Sequence, residues 1–82
     1  MTVDLPPLRF DHPFVGKVVI EQTYGGEISA WDGPCYPWSG VYACAVLNNG
    51  ECHIYAQRGK LTPDLLRHEI GHCNKWPADH PR

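Results

Sequence analysis

The chain has 82 residues, the length of one small domain, and its 43% hydrophobic and 20% charged residues are typical of a globular protein rather than a disordered one. The formal net charge is −2 and there is no basic patch, which argues against nucleic-acid binding through phosphate contacts. Because no apolar run approaches the roughly 18 residues of a membrane span and residues 1–12 lack signal-peptide features, we expect a cytoplasmic protein that does not enter a membrane.

The first half of the chain predicts an arm, a strand and a long loop. Residues 1–14 contain three prolines and predict an extended N-terminal arm. Residues 15–22 carry a β-branched run and predict the first strand. Residues 23–40 are rich in Gly, Pro and aromatic residues, and we prefer a loop packed on the core to an aromatic wall of a substrate cleft. The arm is expected to pack through its apolar side chains, Leu5, Leu8, Phe10 and Phe14.

Residues 41–47 and 51–57 predict a β-hairpin, because Asn49-Gly50 is a strong two-residue turn signal. In that register Leu47 faces Cys52 and Ala45 faces Ile54. A three-residue turn would instead bring Cys44 and Cys52 onto one face. With the two-residue turn, one face is apolar and suits a covering helix; it comprises Ala43, Ala45, Leu47, Cys52, Ile54 and Ala56.

The four cysteines form no C-x-x-C pair, so a zinc ribbon is disfavoured. Free thiols are the expectation for a cytoplasmic chain, whereas the even count in so small a domain leaves disulfides open, with three connectivities. We interpret Cys73 as a core residue or as a disulfide partner of Cys52. The other two cysteines are Cys35 and Cys44.

Residues 63–74 predict the C-terminal helix. Thr62 is a good N-cap, Pro63 suits the first helical position and Asp64 lies at the positive end of the helix dipole. Gly71 is costly inside a helix, and we expect it to allow another backbone to approach closely. Pro77 ends the helix.

This helix carries the pattern His68-Glu69-Ile70-Gly71-His72. Positions four apart lie on one helix face, so His68 and His72 can bind one metal ion. Glu69 is placed to hold a water beside the metal, and zinc lowers the pKa of bound water from about 15.7 towards 7. The pattern therefore predicts two zinc ligands and the general base Glu69 as catalytic residue.

The H-E-x-x-H pattern resembles that of the zincin metallopeptidases, and the run from His68 to His80 is similar to the C-terminal signature of short bacterial and phage zincin-like proteins. The resemblance covers about the last forty residues. It implies an active-site helix beside a sheet edge, a peptide or protein substrate and a zinc-dependent hydrolase. The chain departs from the metzincin pattern, which would place a histidine where Ala78 stands.

A catalytic zinc ion usually has three protein ligands. We prefer His80 as the third, because imidazole suits zinc and because the resembling proteins carry the same Asp-His pair. Asp79 is the alternative ligand, or it would accept a hydrogen bond from the second ring nitrogen of a ligand. His53 and Tyr55 are further candidates for substrate or transition-state contacts, against the alternative of a solvent-facing strand pair.

The sequence thus predicts a single α+β domain in which a small antiparallel sheet of about three strands packs on one helix. The favoured function is a zinc metallopeptidase, with strand 51–57 aligning the substrate if that strand is an edge. The alternatives are a non-catalytic, zinc-stabilised interaction module and a metal-free interaction domain.

Overall fold

A computed structural model describes residues 3–23, 27–31, 33–38 and 40–82. Its strands are β1 (Val18–Thr23), β2 (Ala43–Asn48) and β3 (Glu51–Gln57), and its helix is α1 (Pro63–Cys73), with a 3-10 turn at Glu27–Ser29. The predicted α+β class, the three strands and the single C-terminal helix are confirmed. Within the described ranges, no helix is long and apolar enough to cross a membrane.

The sheet is mixed, so the prediction of an antiparallel sheet is wrong for its first strand. The strand order is β1-β3-β2, with β3 antiparallel to β2 and parallel to β1. A parallel neighbour requires a long connection, and the chain between β1 and β2 is long enough to carry β2 to the far side of β3. As a result β3 is the central strand, and residues 51–57 are not an edge.

The hairpin has the register expected from its two-residue turn. Leu47 pairs with Cys52 and Ala45 pairs with Ile54. Asn49 and Gly50 have φ angles of 51° and 76°, the left-handed values that a type I′ turn needs. The core lies between this sheet face and α1, where buried Cys52, Ile54 and Cys73 are joined by Phe14, Ala45, Leu61, Leu66 and Ile70.

Two disulfides cross-link this small core. Cys52–Cys73 joins β3 to the end of α1, and Cys35–Cys44 joins the loop before β2 to the strand itself. Cys44 projects from the sheet face opposite to Cys52, as the two-residue turn requires. The disulfide alternative therefore describes this chain, and the free-thiol alternative does not.

The helix begins where the sequence predicts, because Oγ1 of Thr62 accepts a hydrogen bond from the Leu65 amide at 3.2 Å. It ends at Cys73, with Asn74 as its C-cap. The next residue, Lys75, has φ 82°, and the Trp76 amide donates back to the Gly71 carbonyl at 3.0 Å. This left-handed reversal turns the chain back towards the helix.

The N-terminal arm is not extended throughout. The amides of Phe10 and Asp11 donate to the Pro7 carbonyl at 2.8 and 2.9 Å, which forms a turn. Leu8 lies at this turn and is 89% exposed, so its expected packing role is wrong, whereas Phe10 is half-buried. The arm is fixed to the helix by Asn74, whose Nδ2 donates to the Phe10 carbonyl at 3.0 Å.

Candidate metal centre

Three histidines converge at the C-terminal end of the molecule. Nε2 of His72 lies 3.2 Å from Nε2 of His68 and 3.1 Å from Nε2 of His80. One nitrogen from each ring falls within 4.8 Å of the other two. A tetrahedral zinc ion with Zn–N bonds of about 2.0–2.1 Å places neighbouring ligand nitrogens about 3.3 Å apart. The spacing of the three rings therefore suits a metal ion.

Backbone carbonyls fix the tautomers of two of these rings. Nδ1 of His68 bonds to the Asp4 carbonyl, and Nδ1 of His72 bonds to the Trp76 carbonyl at 2.8 Å. Because a carbonyl oxygen only accepts, each Nδ1 must carry the proton, and each neutral ring then presents a bare lone pair at Nε2. Two lone pairs facing each other at 3.2 Å repel unless a proton or a metal cation lies between them.

Burial favours the neutral form of the same two rings. It lowers the pKa of His68 and of His72, and the positive charge that neighbouring histidines would carry lowers them further. The hydrogen bonds to the Asp4 and Trp76 carbonyls oppose this effect without reversing it. Neutral imidazole is the form that binds a metal.

Trp76 brings His80 to the cluster, a role that was not predicted for it. It is 2% exposed, stacks on the His72 ring at 4.8 Å with 15° between the planes, and donates from Nε1 to the Pro81 carbonyl at 2.8 Å. The His80 amide donates to the Pro77 carbonyl at 3.0 Å, which closes a tight turn. The sequence signal was the tryptophan directly before Pro77, because a tryptophan side chain is costly to leave exposed. The prediction that Pro77 ends the helix is wrong, because the helix ends at Cys73 and the chain reverses at Lys75.

The N-terminal arm forms the other side of the centre, which sequence reasoning also missed. Besides the Asp4 carbonyl on His68, buried Pro6 packs against Gly71. A Cβ at position 71 would lie 2.9 Å from Cβ of Pro6 and 3.3 Å from the Trp76 ring, so only glycine fits. The expected close neighbour of Gly71 is thus the ring of a proline and not a backbone. Arg82 donates to the Leu5 carbonyl and ties the C-terminal segment to the arm.

Glu69 is the one buried charged side chain among the described residues, with 4% of its surface exposed. Burial raises its pKa to about 7. No described residue donates a hydrogen bond to its carboxylate. It lines the same cleft as the three histidines, so a carboxylate and three candidate metal ligands face one space.

This space, the histidine cleft, has a volume of about 290 Å³ and lies between α1, the C-terminal segment and β2. Its remaining lining residues are uncharged. They are Trp38, Val41, Ala43, Cys44, Ala45, Trp76 and Ala78. The cleft is at the lower end of the roughly 300–1,000 Å³ range of small-ligand pockets.

β2 presents a free edge along this cleft. The Gln57 amide donates to the Tyr42 carbonyl, so in an antiparallel ladder Tyr42 and every second residue after it bond to β3. The N–H and C=O groups of Ala43, Ala45 and Leu47 then point outwards. Among the described residues none pairs with them.

The other sequence-predicted site residues lie away from the cleft. Asp79 is exposed and does not line it. His53 and Tyr55 project from the opposite sheet face, since Cys52 and Ile54 face α1. Nε2 of His53 lies 3.1 Å from Oε1 of Glu51, a local ion pair when the histidine is charged.

Comparisons with protein-family models, with curated proteins and with solved structures found no match to this chain.

Proposed function

We propose that this protein is a zinc-dependent peptidase in which His68, His72 and His80 bind the metal ion and Glu69 is the general base. The observation that carries the proposal is the convergence of three imidazole nitrogens beside a buried carboxylate in one open cleft. Hydrolysis of an amide needs a group that polarises the carbonyl and a base that takes a proton from water. The three histidines would hold a metal ion that polarises the carbonyl, and Glu69 would be the base.

The donor set supports zinc. Three imidazoles are the ligand set of several catalytic zinc sites, and a set of three leaves a coordination position open. Imidazole also binds copper, nickel and iron, and we choose zinc on its availability. The bare lone pairs of His68 and His72 support a cation at this point.

When bound, zinc supplies a Lewis acid and lowers the pKa of water towards about 7. Glu69 takes one proton from the attacking water as the water oxygen forms its bond to the amide carbon. Glu69 then gives that proton to the amide nitrogen as the C–N bond breaks, so that a carboxylic acid and an amine form, and the acid passes its remaining proton to the amine or to solvent. Glu69 is 4% exposed and lines the cleft in which the attacking water would lie.

We further propose that β2 aligns the substrate. An extended peptide can add to an unpaired sheet edge through main-chain hydrogen bonds. The outward groups of Ala43 and Ala45 belong to residues that line the histidine cleft, so a strand paired there would pass the three histidines. This replaces strand 51–57, which is central.

Two observations favour the peptidase over a zinc-stabilised interaction module. Two disulfides already cross-link the domain, so a metal ion is not needed to stabilise the fold. Burying the Glu69 carboxylate without a hydrogen-bond donor lowers the stability of the fold, and a metal site with a purely structural role would gain nothing from it.

The Glu69→Gln variant tests the proposal. Zinc content and peptide cleavage would be measured for the wild type, Glu69→Gln and His80→Ala. Loss of a general base costs about 10²–10⁴-fold in rate, so Glu69→Gln should keep one zinc per chain and lose cleavage by that factor. His80→Ala should bind zinc more weakly. Wild-type protein with bound zinc and no cleavage of any peptide would refute the peptidase.

We also propose that the protein acts in an oxidising compartment, because disulfides persist there and are rare in the cytoplasm. This departs from the cytoplasmic location expected from the sequence. Thiol titration of the denatured, unreduced protein from its natural source should find no free thiol. Four free thiols would contradict the proposal.

A further inference from the structure

The histidine cleft has a wall and a floor of uncharged residues beside its reactive groups. Ala43, Ala45 and Ala78 carry no side-chain atom beyond Cβ, so the space in front of them stays open. Trp38 also lines the cleft and is 59% exposed. A tryptophan half in solvent at the wall of a cleft offers a large apolar surface that a ligand can cover.

The backbone of Trp38 is connected through Cys35 to β2, the strand on which a substrate would lie. The Trp38 amide donates to the Cys35 carbonyl at 2.9 Å, and Cys35 is 1% exposed and disulfide-bonded to Cys44 in β2. The Cys35 amide in turn donates to the Ile28 carbonyl at 2.7 Å. Because the backbone at Cys35 and Trp38 is anchored, that backbone loses little conformational entropy when a ligand covers the indole.

The charge pattern decides which ligand fits. Apart from Glu69 and the three histidines, no described residue lining the cleft can carry a charge. A basic or acidic substrate side chain that lies against the uncharged lining residues, away from those four groups, would lose its hydration there without gaining a partner. A strand paired with β2 directs alternate side chains to the face that α1 covers, and that face opens into the cleft.

We propose that the histidine cleft selects peptides with an uncharged apolar side chain, aromatic or branched aliphatic, beside the scissile bond, and that Trp38 determines this specificity. The inference rests on the proposed peptidase function. It adds the substrate class and the residue that recognises it.

The test uses end-blocked hexapeptides that differ at one position, which carries Phe, Leu, Gln, Glu or Lys. The zinc-loaded full chain should cleave the Phe and Leu peptides with kcat/KM at least about tenfold above the Glu and Lys peptides. Trp38→Ala should lower kcat/KM roughly tenfold for the Phe peptide and by a smaller factor for the Gln peptide, whereas Trp38→Phe should keep most of the preference. Trp31→Ala is the matched control, since Trp31 is 80% exposed and does not line the cleft.

Binding of the same peptides to zinc-loaded Glu69→Gln separates this inference from the peptidase itself. Tighter binding of the Phe peptide than of the Glu peptide, lost in the Glu69→Gln, Trp38→Ala double variant, supports the specificity even if the wild type cleaves nothing. Equal cleavage or binding of apolar and charged peptides overturns it. So does a Trp38→Ala effect that Trp31→Ala reproduces, or the absence of any peptide binding.

Discussion

Replacing Glu69 by Gln should stabilise the metal-free protein, and more so as the pH rises. The folded-state pKa of Glu69 is about 7, above the ordinary value of 4.5 that holds in the unfolded chain. Between these values the folded chain keeps a proton that the unfolded chain has released. Unfolding therefore releases a proton, and wild-type stability falls as the pH rises through this window. Each pKa unit corresponds to 1.36 kcal/mol, so the full loss is about 3 kcal/mol above pH 7.

The measurement is urea unfolding of both proteins after removal of metal by a chelator, at several pH values between 4 and 8. The free-energy difference between Glu69→Gln and the wild type should grow by about 1.4 kcal/mol per pH unit inside the window and level off above it. His68 and His72 are present in both proteins, so their own titration cancels in the difference. A difference that does not change with pH would show that Glu69 is not held in a desolvated site.

Two further predictions concern the contacts that hold the centre together. Replacing both Cys52 and Cys73 by Ser should lower the free energy of unfolding by about 3 kcal/mol, the value for a loop of 21 residues, and should weaken zinc binding. Replacing both Cys35 and Cys44 by Ser should leave the zinc affinity unchanged. Calorimetric zinc titration of the two double variants checks this. Arg82→Ala should weaken zinc binding by up to about fivefold, because it releases the C-terminal segment that carries His80 from the arm. The same titration checks this, with Arg9→Ala as the control. Equal effects of the two substitutions would refute the prediction.

The local elements of this fold could be predicted because their signals are local. The cap at Thr62, the first-turn proline and the Asn49-Gly50 turn each act within a few residues, and all three have the expected geometry. The place of β1 in the sheet could not be predicted, because the strand with which β1 pairs depends on where the long loop after it carries the chain. The difference between an antiparallel and a mixed sheet is therefore a difference in topology, not in propensity.

The candidate site likewise has a part that local sequence signals predict and a part that they do not. The helix places His68 and His72 one turn apart, so their pairing follows from the sequence. The position of His80 depends on the reversal at Lys75 and on the Trp76 contact with the Pro81 carbonyl, which helical periodicity does not reveal. The Asp4 carbonyl lies 64 residues before its partner ring and carries no side-chain signal at all.

The two disulfides and the buried Glu69 are best understood together. A domain this small has a low free energy of unfolding. Above pH 7 the desolvated Glu69 carboxylate lowers it by about 3 kcal/mol, which is a large fraction of the total. The Cys52–Cys73 bond closes a loop of 21 residues and contributes about 3 kcal/mol in the opposite direction, next to the same helix. The cross-link thus offsets the cost of burying Glu69. A metal ion held by the three histidines, as we propose, would then not be required for folding.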